Sequence, residues 1–416
     1  MSYVKFNPTL LCSLYDIYGE KKNIMKKLIK KNGRILTPFR DLGIGSVVIQ
    51  DGIITAVETG DVNIDGAEVI DAGGNYISPG FIDLHTHGAG NHDFMDATME
   101  AYLGAAEMHA KHGTTYLLPT TLTSTNEGLY DTFELFRKAQ KENKKGAILG
   151  GLHLEGPYFA FNQKGAQDPR YLRNPDPKEY MEILEKGGDI IKRWSLAPEL
   201  PGALEFASEL KKRGIMLSMA HTDATFEEAM EAYEYGFRHI THFYSCTASI
   251  TRRNAFRYAG VVEAGYYNDG IVLEVISDGI HVPQSLLKLL YKIKGPNRLM
   301  LCTDCMRAAG MGDGDSILGS LKDGQRVLVE DGVAKLPDRT AFAGSVATGD
   351  RCVRTMRDLA EIPLTEAVSM MTESPARVLG IEKHKGSIKV GMDADIVIFD
   401  NNINIKHTII QGNVIF

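Results

Sequence analysis

The sequence predicts an α/β fold: a (β/α)8 TIM-like barrel with a small β-sandwich domain formed by both chain ends. Three observations support this. Residues 80–380 alternate short apolar runs with amphipathic segments, which is the pattern of parallel strands connected by helices. Short β runs with Gly and Asp turns flank this middle on both sides. Polar residues follow most of the apolar runs, where TIM barrels carry their active sites.

Size and composition limit the class of protein. The 416 residues are 44% apolar and 24% charged, as in an ordinary globular protein, and they suffice for one large domain with an appendage or for two ordinary domains. The net charge of -7 argues against a nucleic-acid partner, and no apolar run approaches the roughly 18 residues of a membrane span. The absence of a signal-peptide pattern and the odd count of five cysteines predict a reduced, cytoplasmic setting.

Both ends of the chain predict parts of one sheet domain. Asp51 and Gly52 lie between two apolar runs, which is a hairpin signal. Similar short β runs return after Gly386 and continue to the last residue. We therefore expect three parts: 1–79 and 381–416 as the two halves of the small β domain, and 80–380 as the barrel.

Eight apolar runs in the middle predict the barrel strands: 81–87, 115–120, 147–155, 194–199, 216–221, 239–244, 272–278 and 299–304. Five amphipathic segments predict helices between them: 99–112, 129–142, 203–213, 226–235 and 284–293. Eight such units within about 300 residues match the size of a TIM barrel. A doubly wound open sheet is the alternative, but its usual Gly-rich phosphate-binding sequence is absent.

The first predicted barrel strand ends in His85 and His87. Residues i and i+2 of a strand point to the same face, so these two imidazoles suit one metal ion. The pair alone is a weak motif. It gains weight because other predicted strands end in polar residues as well: His153 and Glu155, His221, His242, Asp278 and His281, and Asp304.

Imidazole and carboxylate groups suit a divalent metal, with Zn as the first choice and Fe or Mn as alternatives. Catalytic zinc takes three protein ligands and a water. Three candidates are Glu155, His221 and His242. His85 and His87 are candidates for a second position, so we expect one or two ions per subunit. Asp304 is placed to accept a proton from a water whose pKa a metal lowers to about 7.

The sequence strings at these strand ends resemble the N-acetylglucosamine-6-phosphate deacetylase family of the amidohydrolase superfamily. The resemblance extends from about residue 30 to the C-terminus. The matching strings are 79–88 (PGFIDLHTHG), 153–157 (HLEGP), 164–166 (KGA), 241–244 (THFY), 278–281 (DGIH), 303–304 (TD) with 306–311 (MRAAGM), and 343–345 (AGS).

The resemblance implies a reaction and a role for each matching residue. Glu155, His221 and His242 match the primary metal ligands, and His85 with His87 match a pair that some members use for a second ion. Asp304 matches the catalytic acid/base, and His281 matches the histidine that hydrogen-bonds the acetamide and stabilises its oxyanion. The implied reaction is hydrolysis of an N-acetylhexosamine 6-phosphate, foremost N-acetylglucosamine 6-phosphate, to acetate and the hexosamine 6-phosphate.

A phosphate-binding arginine is also implied. In the family it follows the sixth strand, in a helical stretch reached here by residues 249–253, and Arg253 is the best match. In the family this arginine reaches the substrate of a neighbouring subunit, which implies a homodimer. Independently, Arg252, Arg253 and Arg257 form a basic patch, and guanidinium groups suit phosphate oxygens. Lys164 is a second candidate for the anion.

Four residues at three sites depart from the family pattern. Ser245-Cys246 replaces the usual Asn-Ala, Gln167 replaces a His, and Cys305 replaces an Ala. The first two sites concern sugar recognition, so N-acetylgalactosamine 6-phosphate or another N-acyl amino sugar is an alternative substrate. The candidate substrate-binding residues are Ser245, Cys246, Gln167, Arg253, Arg257 and His281.

Two other functions compete with this one. A different amidohydrolase, acting on cyclic amides or phosphoesters, would often carry a carboxylated lysine at the end of strand four, and residues 194–199 contain none. A non-catalytic protein on the same scaffold would be expected to lack metal ligands or the carboxylate of strand eight. The candidate ligands and Asp304 are all present here, which favours the enzyme.

Overall fold

The structure is a computed structural model that describes residues 27–60 and 62–416. Residues 1–26 of the predicted N-terminal segment, including Cys12, lie outside the described residues. Five strands precede the barrel: β1 (Lys27–Thr37), β2 (Arg40–Gln50), β3 (Ile53–Thr59), β4 (Glu68–Asp71) and β5 (Tyr76–Pro79). The turn at Asp51 and Gly52 joins β2 and β3 as an antiparallel hairpin, as predicted.

The middle of the chain contains the barrel strands and two small hairpins. The strands are β6 (Phe81–Thr86), β7 (Gly88–Ala89), β8 (His92–Asp93), β9 (Thr114–Thr121), β10 (Ile148–Leu149), β11 (Leu152–Glu155), β12 (Ile191–Leu196), β13 (Met216–Met219), β14 (His239–Ile240), β15 (Thr251–Arg253), β16 (Phe256–Tyr258), β17 (Val272–Ile276) and β18 (Leu299–Cys302). Eight of them are parallel neighbours in the order β6, β9, β11, β12, β13, β14, β17, β18. Beyond β18, the Asp304 amide donates to the His85 carbonyl at 2.8 Å, which joins the last strand to the first. The predicted fold class is confirmed.

At least one helix follows each barrel strand. The helices are α1 (Met99–Lys111), α2 (Asn126–Glu142), α3 (Pro177–Gly187), α4 (Ala203–Lys212), α5 (Phe226–Tyr235), α6 (Val261–Tyr267), α7 (Gln284–Lys294), α8 (Gly349–Asp358), α9 (Leu364–Met370) and α10 (Glu373–Leu379). Their apolar faces pack on the barrel around large buried side chains such as Trp194, Phe133 and Phe206. Within the part of the chain that the structure describes, no helix is both long enough and apolar enough to cross a bilayer.

Several barrel strands are shorter than predicted at the end that carries the site. The predicted third strand is also split, because Gly150 and Gly151 separate β10 from β11. Strands five and six end at Met219 and Ile240, before the histidines that follow them. The chain turns away at His221 and His242, where φ is positive, so the strand ladder cannot continue.

A four-stranded antiparallel sheet follows β18 and was not predicted. Its strands are β19 (Gly314–Leu318), β20 (Gln325–Glu330), β21 (Val333–Lys335) and β22 (Phe342–Ser345). The Ser345 amide donates to the Asp304 carbonyl at 2.8 Å, which fixes this insert at the mouth of the barrel. Strands of three to six residues give little periodicity, so the sequence carried only a weak signal for them.

The two chain ends form one sheet, as predicted. The last strands are β23 (Ile396–Phe399), β24 (Ile405–Ile410) and β25 (Asn413–Val414), and the sheet order is β25-β24-β23-β5-β1-β2-β3 with β4 beside β1. Strand β1 pairs with β4 through its first half and with β5 through its second half. Apolar side chains from both halves, such as Ile49 and Ile398, share one core. The boundaries at 79/80 and 380/381 stay a prediction.

Gly80 alone separates the small domain from the first barrel strand. A Cβ at this position would lie 2.2 Å from the Thr115 hydroxyl oxygen, so only glycine fits between β5 and β6. The Gly80 amide donates to the Asp395 carbonyl at 2.9 Å. The strand that carries His85 is therefore a direct continuation of a strand of the small domain.

Candidate active site and metal centre

One carboxylate and two imidazoles meet above β11, β13 and β14. The His242 Nε2 atom lies 3.1 Å from Glu155 Oε1 and 3.1 Å from His221 Nε2, and His221 Nε2 lies 3.5 Å from the same carboxylate oxygen. Two ligands of one tetrahedral zinc, with bonds of 2.0–2.1 Å, are about 3.3 Å apart. All three side chains are buried. The spacing of their donor atoms therefore fits a divalent ion.

A second cluster adjoins the first. The Asp304 Oδ1 atom lies 3.3 Å from His85 Nε2 and 3.2 Å from His87 Nε2. The two oxygens of Glu155 also face this pair, with Oε1 3.4 Å from His85 Nε2 and Oε2 3.4 Å from His87 Nε2. Glu155 therefore belongs to one three-residue set of metal-type donors, with His221 and His242, and faces the other set, which is His85, His87 and Asp304.

Hydrogen bonds orient three of these imidazoles in the same sense. In each ring Nδ1 faces an oxygen, and Nε2 is left to face the centre of the site. The partners are Glu274 Oε1 for His85 at 2.8 Å, the Thr120 carbonyl for His87 at 3.3 Å and the Gln163 carbonyl for His221 at 2.7 Å. A carbonyl or carboxylate on Nδ1 is the usual outer partner of a metal-binding histidine.

Burial and charge support the interpretation of these side chains as metal ligands. The His85 Nε2 atom is fully buried and has no hydrogen-bond partner in the described structure. Burial would raise the pKa of Glu155, but the histidines around it, His85 first, hold that pKa well below its usual value. Burial would likewise raise the pKa of Asp304, which His85 and His87 lower. Two ionised carboxylates in a buried site need compensating positive charge, which the surrounding imidazoles supply when protonated and a bound ion supplies when they are neutral.

His153 lies on the same strand as Glu155, β11, but is not oriented as a ligand. Its Nε2 lies 2.7 Å from the Ser195 hydroxyl and its Nδ1 lies 3.3 Å from the Thr120 hydroxyl. Burial first, and then the Arg193 charge, lower its pKa well below the usual value. Both ring nitrogens are thus occupied, and His153 is a neutral residue inside the barrel.

The site opens into a cavity of about 330 Å³, within the range of small-molecule sites. Besides the metal-type residues, its walls include Gln167, Ser245, Cys246, His281 and Phe342. Phe342 belongs to the inserted sheet and lies 4.6 Å from the His281 ring, between centroids. The insert therefore supplies one wall of the cavity.

The amidohydrolase family profile matches residues 76–415, which include the whole barrel and every residue of the candidate site. This chain belongs to the amidohydrolase family. The resemblance found in the sequence strings is therefore confirmed.

Individual relatives match this amidohydrolase over nearly its full length. The N-acetylglucosamine-6-phosphate deacetylase of Bacillus subtilis is 34% identical over 396 residues, which cover 94% of this chain and 98% of the relative. The N-acetylgalactosamine-6-phosphate deacetylase of Escherichia coli O157:H7 is 30% identical and covers 91% and 97%. The crystal structure of the N-acetylglucosamine-6-phosphate deacetylase from Pasteurella multocida aligns with a TM-score of 0.86 at 30% identity, covering 93% and 99%.

His281 is held by a neighbouring carboxylate in this amidohydrolase. Its Nδ1 lies 2.7 Å from Asp278 Oδ2, while the other Asp278 oxygen accepts from the Ile280 and His281 amides at 2.8 Å. Burial would raise the pKa of Asp278, but the contact with His281 lowers it. The ring therefore faces an ionised carboxylate on one side and the cavity on the other.

Gln167 contacts a metal-type ligand as well as lining the cavity. Its Nε2 donates to Glu155 Oε2 at 2.8 Å, and its Oε1 accepts from the Thr123 amide at 3.0 Å. The predicted contact with the sugar stays a prediction. The structure adds a second task for this residue, which is to orient the Glu155 carboxylate.

Cys246 and Cys305, the two cysteines that depart from the family pattern, lie apart in the amidohydrolase barrel. Cys246 lines the cavity beside Ser245, in the left-handed region at φ 50°. Cys305 is fully buried near Thr86, and burial raises its thiol pKa to about 12. Both thiols are free. Only Cys246 is therefore placed to touch a ligand.

The arginine segment is a β-hairpin, so the expected helical stretch is wrong. Asn254 and Ala255 have φ values of 48° and 71°, which reverse the chain between β15 and β16. In their register Arg252 faces Arg257, and Arg253 faces Phe256. Adjacent residues of a strand point to opposite faces, so Arg253 and Arg257 lie on opposite faces. These arginines are exposed, and neither they nor Lys164 line the cavity of their own chain.

Sequence reasoning missed a buried ion pair directly below the site. Arg193 of β12 and Glu274 of β17 are fully buried and form a short contact between Nη1 and Oε2. The available signal was one acidic residue inside the apolar run of β17 and two adjacent basic residues, Lys192 and Arg193, in β12. The partner across the barrel could not be read from sequence spacing.

Proposed function

We propose that this amidohydrolase hydrolyses the acetamide of N-acetylglucosamine 6-phosphate to acetate and glucosamine 6-phosphate. The observation that carries the proposal is the convergence of Glu155, His221, His242 and Asp304 at one mouth of the barrel. The relatives named N-acetylglucosamine-6-phosphate deacetylases, at 30–34% identity over most of the chain, support this substrate.

Glu155, His221 and His242 would hold a divalent ion, for which we propose zinc, with iron or manganese as alternatives. One carboxylate and two imidazoles form a known catalytic zinc ligand set. A bound ion of this kind lowers the pKa of a water and polarises a carbonyl. His85, His87 and Asp304 provide the donors of a second position.

Asp304 would move the proton of the reaction. Its pKa lies below the usual value, so it begins as a carboxylate that accepts a proton from the attacking water. The same group then donates that proton to the amine that leaves as the amide bond breaks. Its Oδ1 atom faces His85 and His87 Nε2, which keeps it beside the site of attack.

His281 would bind the acetamide oxygen as negative charge develops there. The Asp278 carboxylate on Nδ1 stabilises positive charge on the ring, as in other carboxylate–imidazole pairs. The Nε2 edge then offers a donor to the oxyanion, a contribution of roughly 3–4 kcal/mol for one such group. Gln167 holds the Glu155 carboxylate in place during the reaction.

N-acetylgalactosamine 6-phosphate is the second candidate substrate. The Escherichia coli relative bears that name, and the cavity wall contains Ser245-Cys246 where the family usually has Asn-Ala. We propose Ser245, Cys246 and Gln167 as sugar contacts. The position of the 4-hydroxyl distinguishes the two epimers, so these residues would decide between them.

We further propose that the enzyme is a cytoplasmic homodimer. The exposed β15–β16 hairpin carries Arg253 away from the cavity of its own chain, so a partner subunit would bring this arginine to a substrate phosphate. The exposed Ile250 and Phe256 beside it favour burial against a partner. The four free cysteines among residues 27–416 suit a reducing compartment.

The function is tested by acetate release from four sugars, namely N-acetylglucosamine and N-acetylgalactosamine with and without a 6-phosphate. We expect the highest kcat/KM with N-acetylglucosamine 6-phosphate, loss of activity after chelation and recovery with zinc. A preference for the galactose epimer would change the proposed substrate but leave the proposed reaction unchanged. No acetate from any of the four, with metal bound, would refute the proposal.

A further inference from the structure

A second cavity lies at the mouth of the barrel opposite to the candidate active site. Its volume is about 430 Å³, within the range of small-molecule sites. Three strands begin in its wall, which contains Lys192 near the start of β12, Met216 at the start of β13 and His239 at the start of β14. This face of a TIM barrel usually contributes to stability, and the residues of the cavity wall do not suit that role.

The wall of this cavity is basic. Lys192, Lys211 and Arg238 contribute to it, and none of the residues that the structure places in the wall is acidic. These three cations form no ion pair with a carboxylate of the described residues. Like charges that share one cavity repel one another, so the arrangement lowers stability until an anion enters.

Arg238 is held in place by contacts that leave part of its guanidinium group available. The guanidinium carbon lies 3.8 Å from the centroid of the Tyr233 ring. Its Nη1 atom donates to the Tyr233 and Phe237 carbonyls, whereas Nε and Nη2 have no hydrogen-bond partner among residues 27–60 and 62–416. A cation that is already ordered loses little entropy when it binds an anion.

The rest of the wall is largely apolar. Tyr116 presents its ring there, because its hydroxyl donates to the Gly150 carbonyl at 3.2 Å. Aliphatic side chains complete this part, among them Val378, Leu379 and Ile381. Apolar surface combined with a few polar groups is the composition of a small-molecule site, and it differs from that of a fully solvated lysine patch.

We propose that this cavity binds a phosphate monoester with an apolar body, at the end of the barrel opposite to the active site. Such a phosphate carries a charge of about -1.5 to -2 at pH 7, which suits three cations better than the single charge of a carboxylate. Guanidinium forks match phosphate oxygens, and lysines add point charges. The inference goes beyond the proposed function and does not depend on it.

The test uses 4-iodophenyl phosphate, which joins such an anion to an apolar ring. Calorimetry measures its binding to the wild type and to two variants. Lys211→Met removes one cation of the wall. Lys212→Met is the matched control, because Lys212 is the next residue of α4, is also exposed and is not among the residues of the wall. Inorganic phosphate and 4-iodophenol test the two halves of the probe separately.

We expect Lys211→Met to weaken binding of the probe at this cavity roughly tenfold. Lys212→Met should change it by less than about twofold, and both variants should keep the acetate release of the wild type. Inorganic phosphate and 4-iodophenol should each bind more weakly than the whole probe. Equal weakening in the two lysine variants would indicate general charge attraction and would overturn the proposal.

Anomalous scattering by iodine locates the probe in crystals of the wild type. A peak beside Lys211 and Arg238 would support the proposal. Iodine in the active-site cavity alone, or no bound probe, would overturn it. Acetate release by a protein whose second cavity stays empty would leave the proposed function intact, whereas a bound probe in a protein without that activity would refute only the proposed function.

Discussion

Three residues of the site have backbone angles that side chains other than glycine rarely adopt. The φ values are 45° at His221, 28° at His242 and 44° at Asp304. Such conformations cost on the order of 1–3 kcal/mol each and persist where surrounding structure enforces them. Here each turn folds the end of a strand over the barrel mouth. These strained turns therefore direct the side chains of His221, His242 and Asp304 from three strands towards one point.

Asp304→Asn tests the proton transfer. Asparagine tolerates a positive φ, so the backbone and the neighbouring histidines should stay in place. Its amide cannot accept and return a proton, and we expect kcat to fall by roughly 10²–10⁴-fold. Occupancy of the position formed by Glu155, His221 and His242 and the thermal midpoint serve as controls and should change little. Turnover near the wild-type level would exclude Asp304 as the acid/base.

Because of the buried His239, we expect the stability of the fold to decrease in acid, independently of the active site. Burial first, and then the Arg193 charge, lower its pKa to about 4 from the usual 6.5. The unfolded chain therefore binds a proton that the folded chain refuses between these values. This lowers stability as pH falls from 6.5 towards 4, by about 1.4 kcal/mol per pH unit at most.

His239→Asn should remove that part of the acid sensitivity. Denaturant unfolding of both proteins at about pH 7 and about pH 5 gives the comparison, and the other histidines contribute equally to each. We expect the variant to lose about 2 kcal/mol less unfolding free energy between the two conditions. Identical losses would show that His239 does not titrate in this way.

The residue types at the strand ends were the part of the site that could be predicted from the sequence. The sequence indicated Glu155, His221 and His242 because polar residues interrupt apolar runs where parallel strands end. It did not indicate that Glu274 bonds His85, because that contact joins two strands through the interior of the barrel. Only closure of the sheet brings such residues together.

At the scale of elements, the β15–β16 hairpin divides the three arginines of the basic patch between its two faces. Arg252 and Arg257 share one face, and Arg253 lies on the other with Phe256. Three arginines in sequence are therefore not one binding surface. A phosphate bound by Arg253 would be out of reach of the opposite face.

Arg253→Ala should raise KM for N-acetylglucosamine 6-phosphate by roughly tenfold or more, because a charged hydrogen bond contributes about 1.5–3 kcal/mol. The unphosphorylated sugar should show almost no change. Arg252→Ala and Arg257→Ala are matched controls on the other face of the hairpin and should have smaller effects. A similar rise for both sugars would rule out contact between Arg253 and the phosphate.

Elements whose ends carry clear capping residues were predicted closely. Elements without such residues were missed. The bounds predicted for α5 match the structure, since Thr225 and Glu228 cap each other reciprocally at its start. The inserted sheet β19–β22 and the β15–β16 hairpin consist of short strands without a sustained period. Their pairing depends on the barrel mouth to which they attach.

At the scale of the molecule, the small domain and the barrel share one continuous strand path. Strand β5 pairs with β23 and continues through Gly80 into β6. Ile398 of β23 is buried in the core of the small domain and faces Ile77 of β5 in the register. Packing at the C-terminal end therefore supports the strand that carries His85.

Ile398→Ala should lower the unfolding free energy by about 2–5 kcal/mol, because it leaves a cavity in that core. Val390→Ala is the control at an exposed site and should change it by less than about 0.5 kcal/mol. Denaturant unfolding at a fixed, saturating zinc concentration is the measurement. Equal stability of the two variants would show that the C-terminal strands do not support the domain.

The pairing of β5 with β23 has a consequence for synthesis of the chain. Strand β5 ends at Pro79 and its partner β23 begins at Ile396, so ribosomes release β5 long before β23. Until then β5 has an open edge, and unpaired edges invite aggregation. Nascent chains of this enzyme should accordingly depend on chaperones until β23 is released, and chains truncated before Ile396 should be cleared by proteolysis.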